Sequence, residues 1–225
     1  MKTVISQFKL LHKNLNINFR LWLLLLILGI CSLSSFAIRA KAQHNQELQQ
    51  GIAKEIIRFH VLANSDSDED QQLKLKVKGD VVEALAPILK DATTVEEARG
   101  LLSSNLDLIK ATALQTIKEN GYSYPVTVTF ERTYFPLKIY GEFIFPPGTY
   151  EALRVQIGDA KGRNWWCVMF PQLCFVDNTY SIVDKESEKK LQRLLTDEEY
   201  DSLLNKKAPV KVKFKILEQL KKLLP

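Results

Sequence analysis

Residues 21–38 carry no charge at all, and Arg20 and Arg39 bracket them. Within this run of eighteen, positions 23–28 are purely aliphatic. That length is at the short limit for a membrane-spanning helix and long for the core of a signal peptide. A core helix of a globular domain would show a polar face, and this run has none. Four cations precede it, Lys2, Lys9, Lys13 and Arg20, and two follow closely, Arg39 and Lys41, which keeps the N-terminus inside. Ala40-Lys41-Ala42 has the small-x-small pattern of a cleavage site and would leave Gln43 first; Ser35-Phe36-Ala37 is a second candidate. Cleaved or kept as an anchor, the leader places residues from about 43 onward outside the cytoplasm. Cys31 follows Ile30, where a lipoprotein signal would carry a small residue. The expected division is therefore 1–42 as signal peptide or membrane anchor and 43–225 as a single exported domain, with no clear linker or internal repeat to suggest two.

The net charge of +5 is misleading. The six cations of residues 1–42, with no acid among them, account for more than all of it and leave the remainder at −1. A near-neutral body excludes the basic face that nucleic-acid binding normally requires.

Residues 56–62 are apolar and β-branched enough for a strand. Asn64, Ser65 and Asp66 follow with turn chemistry, because such short side chains bond their own backbone. Asp66 or Ser67 then caps a helix whose first turn holds Asp68, Glu69 and Asp70, where the helix dipole favours negative charge. Leu73, Val77, Val81, Leu85 and Ile88 recur at helical spacing, and Pro87 should end or kink that helix. Thr94 and Glu97 form a capping box for a second helix, with Val95, Ala98, Leu102, Leu106, Ile109, Ala113 and Ile117 as its stripe and Gly121 as its C-terminal cap. Two helices with a short join predict an antiparallel hairpin. Residues 126–132, 134–140, 148–157 and 164–170 read as strands, and their short connections predict antiparallel pairing. A further helix opens at Thr196. Val210, Val212, Phe214 and Ile216 alternate with lysines, the pattern of a half-buried strand. Residues 43–51, polar and Gln-rich, read as a mobile arm. The fold class is α+β: a helical hairpin packed on an antiparallel β-sheet, preceded by the N-terminal segment.

Few residues suggest chemistry. Asp66, Asp68 and Asp70 mimic the first half of an EF-hand loop, but Gln71 stands where glycine is required and Val77 where the bidentate glutamate belongs. No metal site and no cofactor is implied. His60 is a lone histidine among apolar strand residues, a pattern more common in cores than in catalysis. No nucleophile elbow, phosphate-binding glycine loop, Asp-[Ser/Thr]-Gly triplet or paired His-Glu spacing occurs. Cys167 and Cys174 are the only cysteines outside the leader. In an exported domain they fit either a disulfide, with Pro171-Gln172 supplying the turn, or two buried thiols. Trp165 and Trp166 are adjacent in a strand and must face opposite sides of the sheet. One is expected in the core; the other is covered by the helices or free as a binding anchor. The tail lysines 206, 207, 211, 213, 215, 221 and 222 form a solvated face or touch an anionic membrane surface.

Three blocks of residues point further. The first is the stretch 58–74 around Asn64-Ser65-Asp66; the second is Phe135-Pro136-Leu137-Lys138-Ile139-Tyr140-Gly141 followed by Tyr150-Glu151-Ala152; the third runs from Asn164-Trp165-Trp166 to Phe175. In this order they resemble the stage II sporulation protein R family of endospore-forming bacteria. The resemblance covers most of residues 56–176 and matches the leader and the tail only loosely. It implies a signal that is made in the forespore and exported into the space between the two membranes. There it would trigger a membrane-embedded aspartic protease of the mother cell, which would cleave an inactive sigma-factor precursor. It also implies a partner-binding role for the two densest blocks, Asn64, Ser65, Asp66 and Asp68 with Asn164, Trp165 and Trp166, and no catalysis. The rival reading is an exported enzyme such as a cell-wall hydrolase, which an acidic or cysteine-centred cleft would favour.

Overall fold

A computed structural model describes residues 2–174, 183 and 185–204. The expected strand near residue 210 and the lysine-rich tail lie outside the described residues. Two compact units result, Met1–Glu47 and Leu48–Pro225. In the first, helix α1, Lys2–Glu55, begins and carries the apolar run. From Leu21 it is long and apolar enough to cross a membrane, and none of its most apolar window is buried by protein. Trp22, Leu28 and Phe36 are all exposed. Such a surface is stable only in an apolar medium, as a signal or an anchor requires.

Residues 43–51 are not a separate arm: α1 runs through them to Glu55. In the second unit its last turns bury Ile52 and Ala53, and Ile56 follows fully enclosed. Those apolar side chains lie beyond the Gln-rich stretch, so its polar composition did not reveal the packing that continues the helix.

Strand β1, Ile57–Leu62, is buried at all six positions. It lies inside a four-stranded sheet of order β2-β5-β1-β6, where β2 is Val126–Phe135, β5 Gly148–Ile157 and β6 Asn164–Phe170. The pairings are antiparallel except β1 with β5, which is parallel; long intervening chain, not a short turn, joins these two. The expected strand 134–140 is broken, with β2 ending at Phe135 and β3, Lys138–Tyr140, starting a separate hairpin with β4, Phe143–Phe145. Pro136 has no N–H for the ladder, so pairing stops there.

One face of the sheet carries the helices. Helix α2, Asp68–Leu89, is capped by the Ser67 hydroxyl and holds Pro87 in its last turn. The capping box of Thr94 and Glu97 opens α3, Val95–Ser104. The second helix of the hairpin is interrupted at Asn105, where Ser104 and Asn105 side chains bond the Gly100 and Leu101 carbonyls. Such side chains compete with the helical ladder. It resumes as α4, Leu106–Glu119, closed at Gly121 with φ of +82°. Lys76 reaches Asn120 while Asp80 accepts from Thr116, so α2 and α4 run antiparallel. Val77, Val81, Leu85, Ile109, Ala113 and Ile117 meet Phe59, Leu153 and Val155 of the sheet in one core.

The other face is half covered. Ile52, Ile56, Phe135, Phe143, Phe145, Leu173, Leu191 and Leu203 form a second core with the β3–β4 hairpin and helices α5, Lys185–Leu194, and α6, Asp197–Leu203. Helix α6 opens at the expected cap, Thr196, with Glu199 completing a capping box. Cys167 and Cys174 are joined by a disulfide across the turn that follows β6, which contains a cis Phe170-Pro171 peptide. Closing so short a loop stabilises the fold by about 2.5 kcal/mol in the chain-entropy treatment.

Candidate functional site

The corner after β1 is held by one carboxylate. Asp70 is buried in the first turn of α2 and accepts from Asn64 Nδ2 at 2.8 Å and Ser65 Oγ at 2.5 Å. Burial alone would raise this carboxyl. The bonds from Ser65 and Asn64, with the nearby Tyr124 hydroxyl, outweigh burial and hold it below the ordinary carboxylate range. The other end of the Asn64 amide accepts from Asp159 N at 3.0 Å. Asp66 accepts from Arg163 N at 2.6 Å and lies 3.5 Å from its guanidinium. Lys74 donates to the Arg163 carbonyl at 3.0 Å. The loop 158–163 is thus strapped to the corner, Lys161 and Gly162 bonding the Asn64 and Ala63 carbonyls. Two glycines permit this approach: Gly158 has φ of +57° beside the Asn64 side chain, and a Cβ at Gly162 would collide with the Ser65 carbonyl.

The strap leads directly into β6, so the two blocks of expected partner-binding residues meet at one end of the sheet. Leu62 sits opposite Asn164. Asn64 is spent on Asp70 and the strap, and Ser65 on Asp70 within the corner. Asp66 is tied but exposed, and Asp68 is exposed in the first turn of α2. The tryptophans part as strand alternation requires, but neither is core. Trp165 packs half-buried against the helical core, with the Lys78 ammonium 5.1 Å from its ring. Trp166 lies half-buried on the opposite face.

Around Trp166 the sheet carries a polar stripe. Register sets Thr129, Arg154, His60 and Trp166 side by side across all four strands. His60 is 4% exposed and stacks on Trp166 with centroids 3.9 Å apart. Among the described residues neither of its nitrogens makes a well-formed hydrogen bond, although the nearby Asn164 side chain favours the charged ring. Burial, then the Arg154 charge, lowers the imidazole to about 4, so it is neutral near pH 7. Arg154 pairs with Glu131. Behind Trp166, Arg58 is fully buried in a cage of Phe135, Tyr140, Phe145 and Tyr150, its guanidinium carbon 4.6–5.7 Å from the four ring centroids. Arg58 donates to the Tyr140 hydroxyl at 3.2 Å, which donates to the Trp166 carbonyl at 3.0 Å. Lys138 stands 5.6 Å from the Trp166 ring centroid. Burial, then Arg58, lowers its ammonium.

The stripe escaped the sequence reading. The lone-histidine pattern predicts His60 as core, which its burial supports, but the strand patterns around Arg58, Lys138 and Arg154 give those charges no role. Alternate positions 58, 60 and 154, 156 in paired strands were the available signal, legible only once the register is known.

The family model for stage II sporulation protein R matches residues 53–180 of this chain. The chain belongs to the stage II sporulation protein R family. It is also 39% identical over 170 residues to stage II sporulation protein R of Bacillus subtilis strain 168, spanning 76% of this chain and 75% of that one. No solved structure matches. The match to the family begins at Ala53, four residues before β1, and takes in the corner, the polar stripe and the Arg58 cage, so family membership and a role in sporulation attach to the site-bearing unit.

Proposed function

We propose that this chain is an exported sporulation signal that binds and activates a membrane-embedded aspartic protease of the mother cell, which then processes a sigma-factor precursor. The observation that carries this reading is the match to stage II sporulation protein R across the domain that holds both site blocks. The apolar surface of α1 supports export, with residues 1–42 as signal peptide or anchor and 43–225 as the signalling domain. Activity on this reading is binding and not turnover. The partner surface comprises Asn64, Ser65, Asp66, Asp68, Asn164, Trp165 and Trp166. Within it Asn64 and Ser65 fix the shape, while Asp66, Asp68 and Trp166 offer exposed atoms. The neutral, stacked His60 supports a recognition surface over a hydrolytic centre, since among the described residues no carboxylate or nucleophile is bonded to either nitrogen.

The test is complementation in sporulating cells that lack their own copy. Full-length chain should restore cleavage of the sigma-factor precursor, and a chain starting at Gln43 and retained in the forespore cytoplasm should not. Processing restored by the retained form would overturn the export half of the proposal.

A further inference from the structure

We propose that the cationic end of the second sheet face, Lys138, Trp166, Arg154 and His60 with Arg58 behind them, docks an acidic peptide segment of the protein partner. This rests on the partner-binding reading above and names the chemistry the partner must bring.

Charge is the first argument. Arg58, Lys138 and Arg154 converge on this face, and Glu131 pairs with Arg154. Among the described residues no carboxylate pairs with Arg58 or Lys138. A fully buried guanidinium held by aromatic rings and one hydroxyl leaves Nε and Nη1 without acceptors. An uncompensated charge in such surroundings is costly, and a carboxylate arriving nearby relieves it. The second argument is the set of recessed polar atoms without partners in the stripe: both His60 nitrogens, Arg154 Nε, Thr129 Oγ1 and Asn164 Oδ1. These atoms are not all of one kind. Arg154 Nε can only donate and Asn164 Oδ1 can only accept, whereas neutral His60 does one of each. An ionised phosphodiester group offers acceptors alone. A peptide offers backbone N–H and C=O groups together with a side-chain carboxylate, and so matches the whole set. Third, the half-exposed Trp166 indole beside Lys138 has the make-up of an interface anchor: an aromatic surface with a charged group at its rim.

The acid belongs at Lys138, the half-exposed cation of the group, with the segment's backbone crossing Trp166 toward Asn164. The experiment uses the full-length chain co-expressed with the protease and measures co-purification from membranes. Wild-type chain should retain the protease. Lys138→Glu should lose at least about tenfold in recovered complex, and Lys138→Gln, which keeps length without charge, should fall between. Lys110→Glu, a reversal on the exposed face of α4, should bind as wild type. A lysine placed at one acidic position on the outer face of the protease should restore binding to Lys138→Glu. If wild-type chain retains no protease, the partner reading itself falls. If wild type binds and both Lys138 variants bind equally well, the docking site is wrong while the partner reading stands. Flotation with phosphatidylglycerol vesicles completes the test: loss of vesicle binding by Lys138→Glu with unchanged protease recovery would assign the face to lipid and overturn the proposal.

Discussion

Acidification from pH 6.5 to about 4 should remove about 3 kcal/mol of folding stability through His60 alone. The folded imidazole is lowered to about 4, against an ordinary value of 6.5, and each unit is worth about 1.4 kcal/mol. The sign follows from which state takes the proton first. Below 6.5 the unfolded chain protonates its histidine while the fold, with the ring stacked on Trp166 and facing Arg154, resists. The contribution is therefore complete above the ordinary value and lost as pH falls toward the folded one. Urea unfolding of the wild-type chain and His60→Gln across this range is the measurement. His60→Gln should be less stable near pH 7, because the stack on Trp166 is gone, but should have a flatter pH profile. An equally steep profile in the variant would mean that other groups carry the acid sensitivity.

Asp70→Ala should cost about 3 kcal/mol at neutral pH. The substitution strands the Asn64 amide and the Ser65 hydroxyl, each left half-buried without its acceptor, and such a loss costs about 1–3 kcal/mol per donor. Its pH window lies below that of His60. The folded carboxyl is depressed, so its stabilisation is complete above the ordinary carboxylate value and disappears as pH falls through the folded one. The stability gap between wild type and Asp70→Ala should accordingly narrow in strong acid. Because Asn64 also holds the Asp159 amide, hydrogen exchange in residues 158–163 should accelerate in the variant. Unchanged exchange there would show that the strap is held by Asp66 and Lys74 without Asp70.

The contrast between these two residues explains what the sequence could and could not reveal. Helix starts were legible because capping is local: Thr94 with Glu97 and Thr196 with Glu199 each satisfy one another within three residues. The amphipathic stripes of α2 and α4 were legible for the same reason, and strand alternation separated Trp165 from Trp166 correctly. Asp70 was grouped with Asp68 as dipole chemistry in the first turn. Its actual task depends on Asn64, which also holds a loop some ninety residues away, and no local pattern encodes that. Arg58 was hidden differently. It interrupts an apolar strand as a charge should not, and only the meeting of Phe135, Tyr140, Phe145 and Tyr150 from four other strands shows how it is housed. The parallel pairing of β1 with β5 likewise depends on long-range topology that turn signals do not report.

The central claim is that the chain acts by occupying its partner. The most direct measurement titrates the purified chain into membranes that hold the proposed protease partner and a sigma-factor precursor, and counts the activated protease. Binding predicts that activated protease rises in proportion to added chain and saturates near one chain per protease, with activity lost when the chain is washed away. Full activation by trace amounts, persisting after the chain is removed, would mean covalent turnover and would contradict the account.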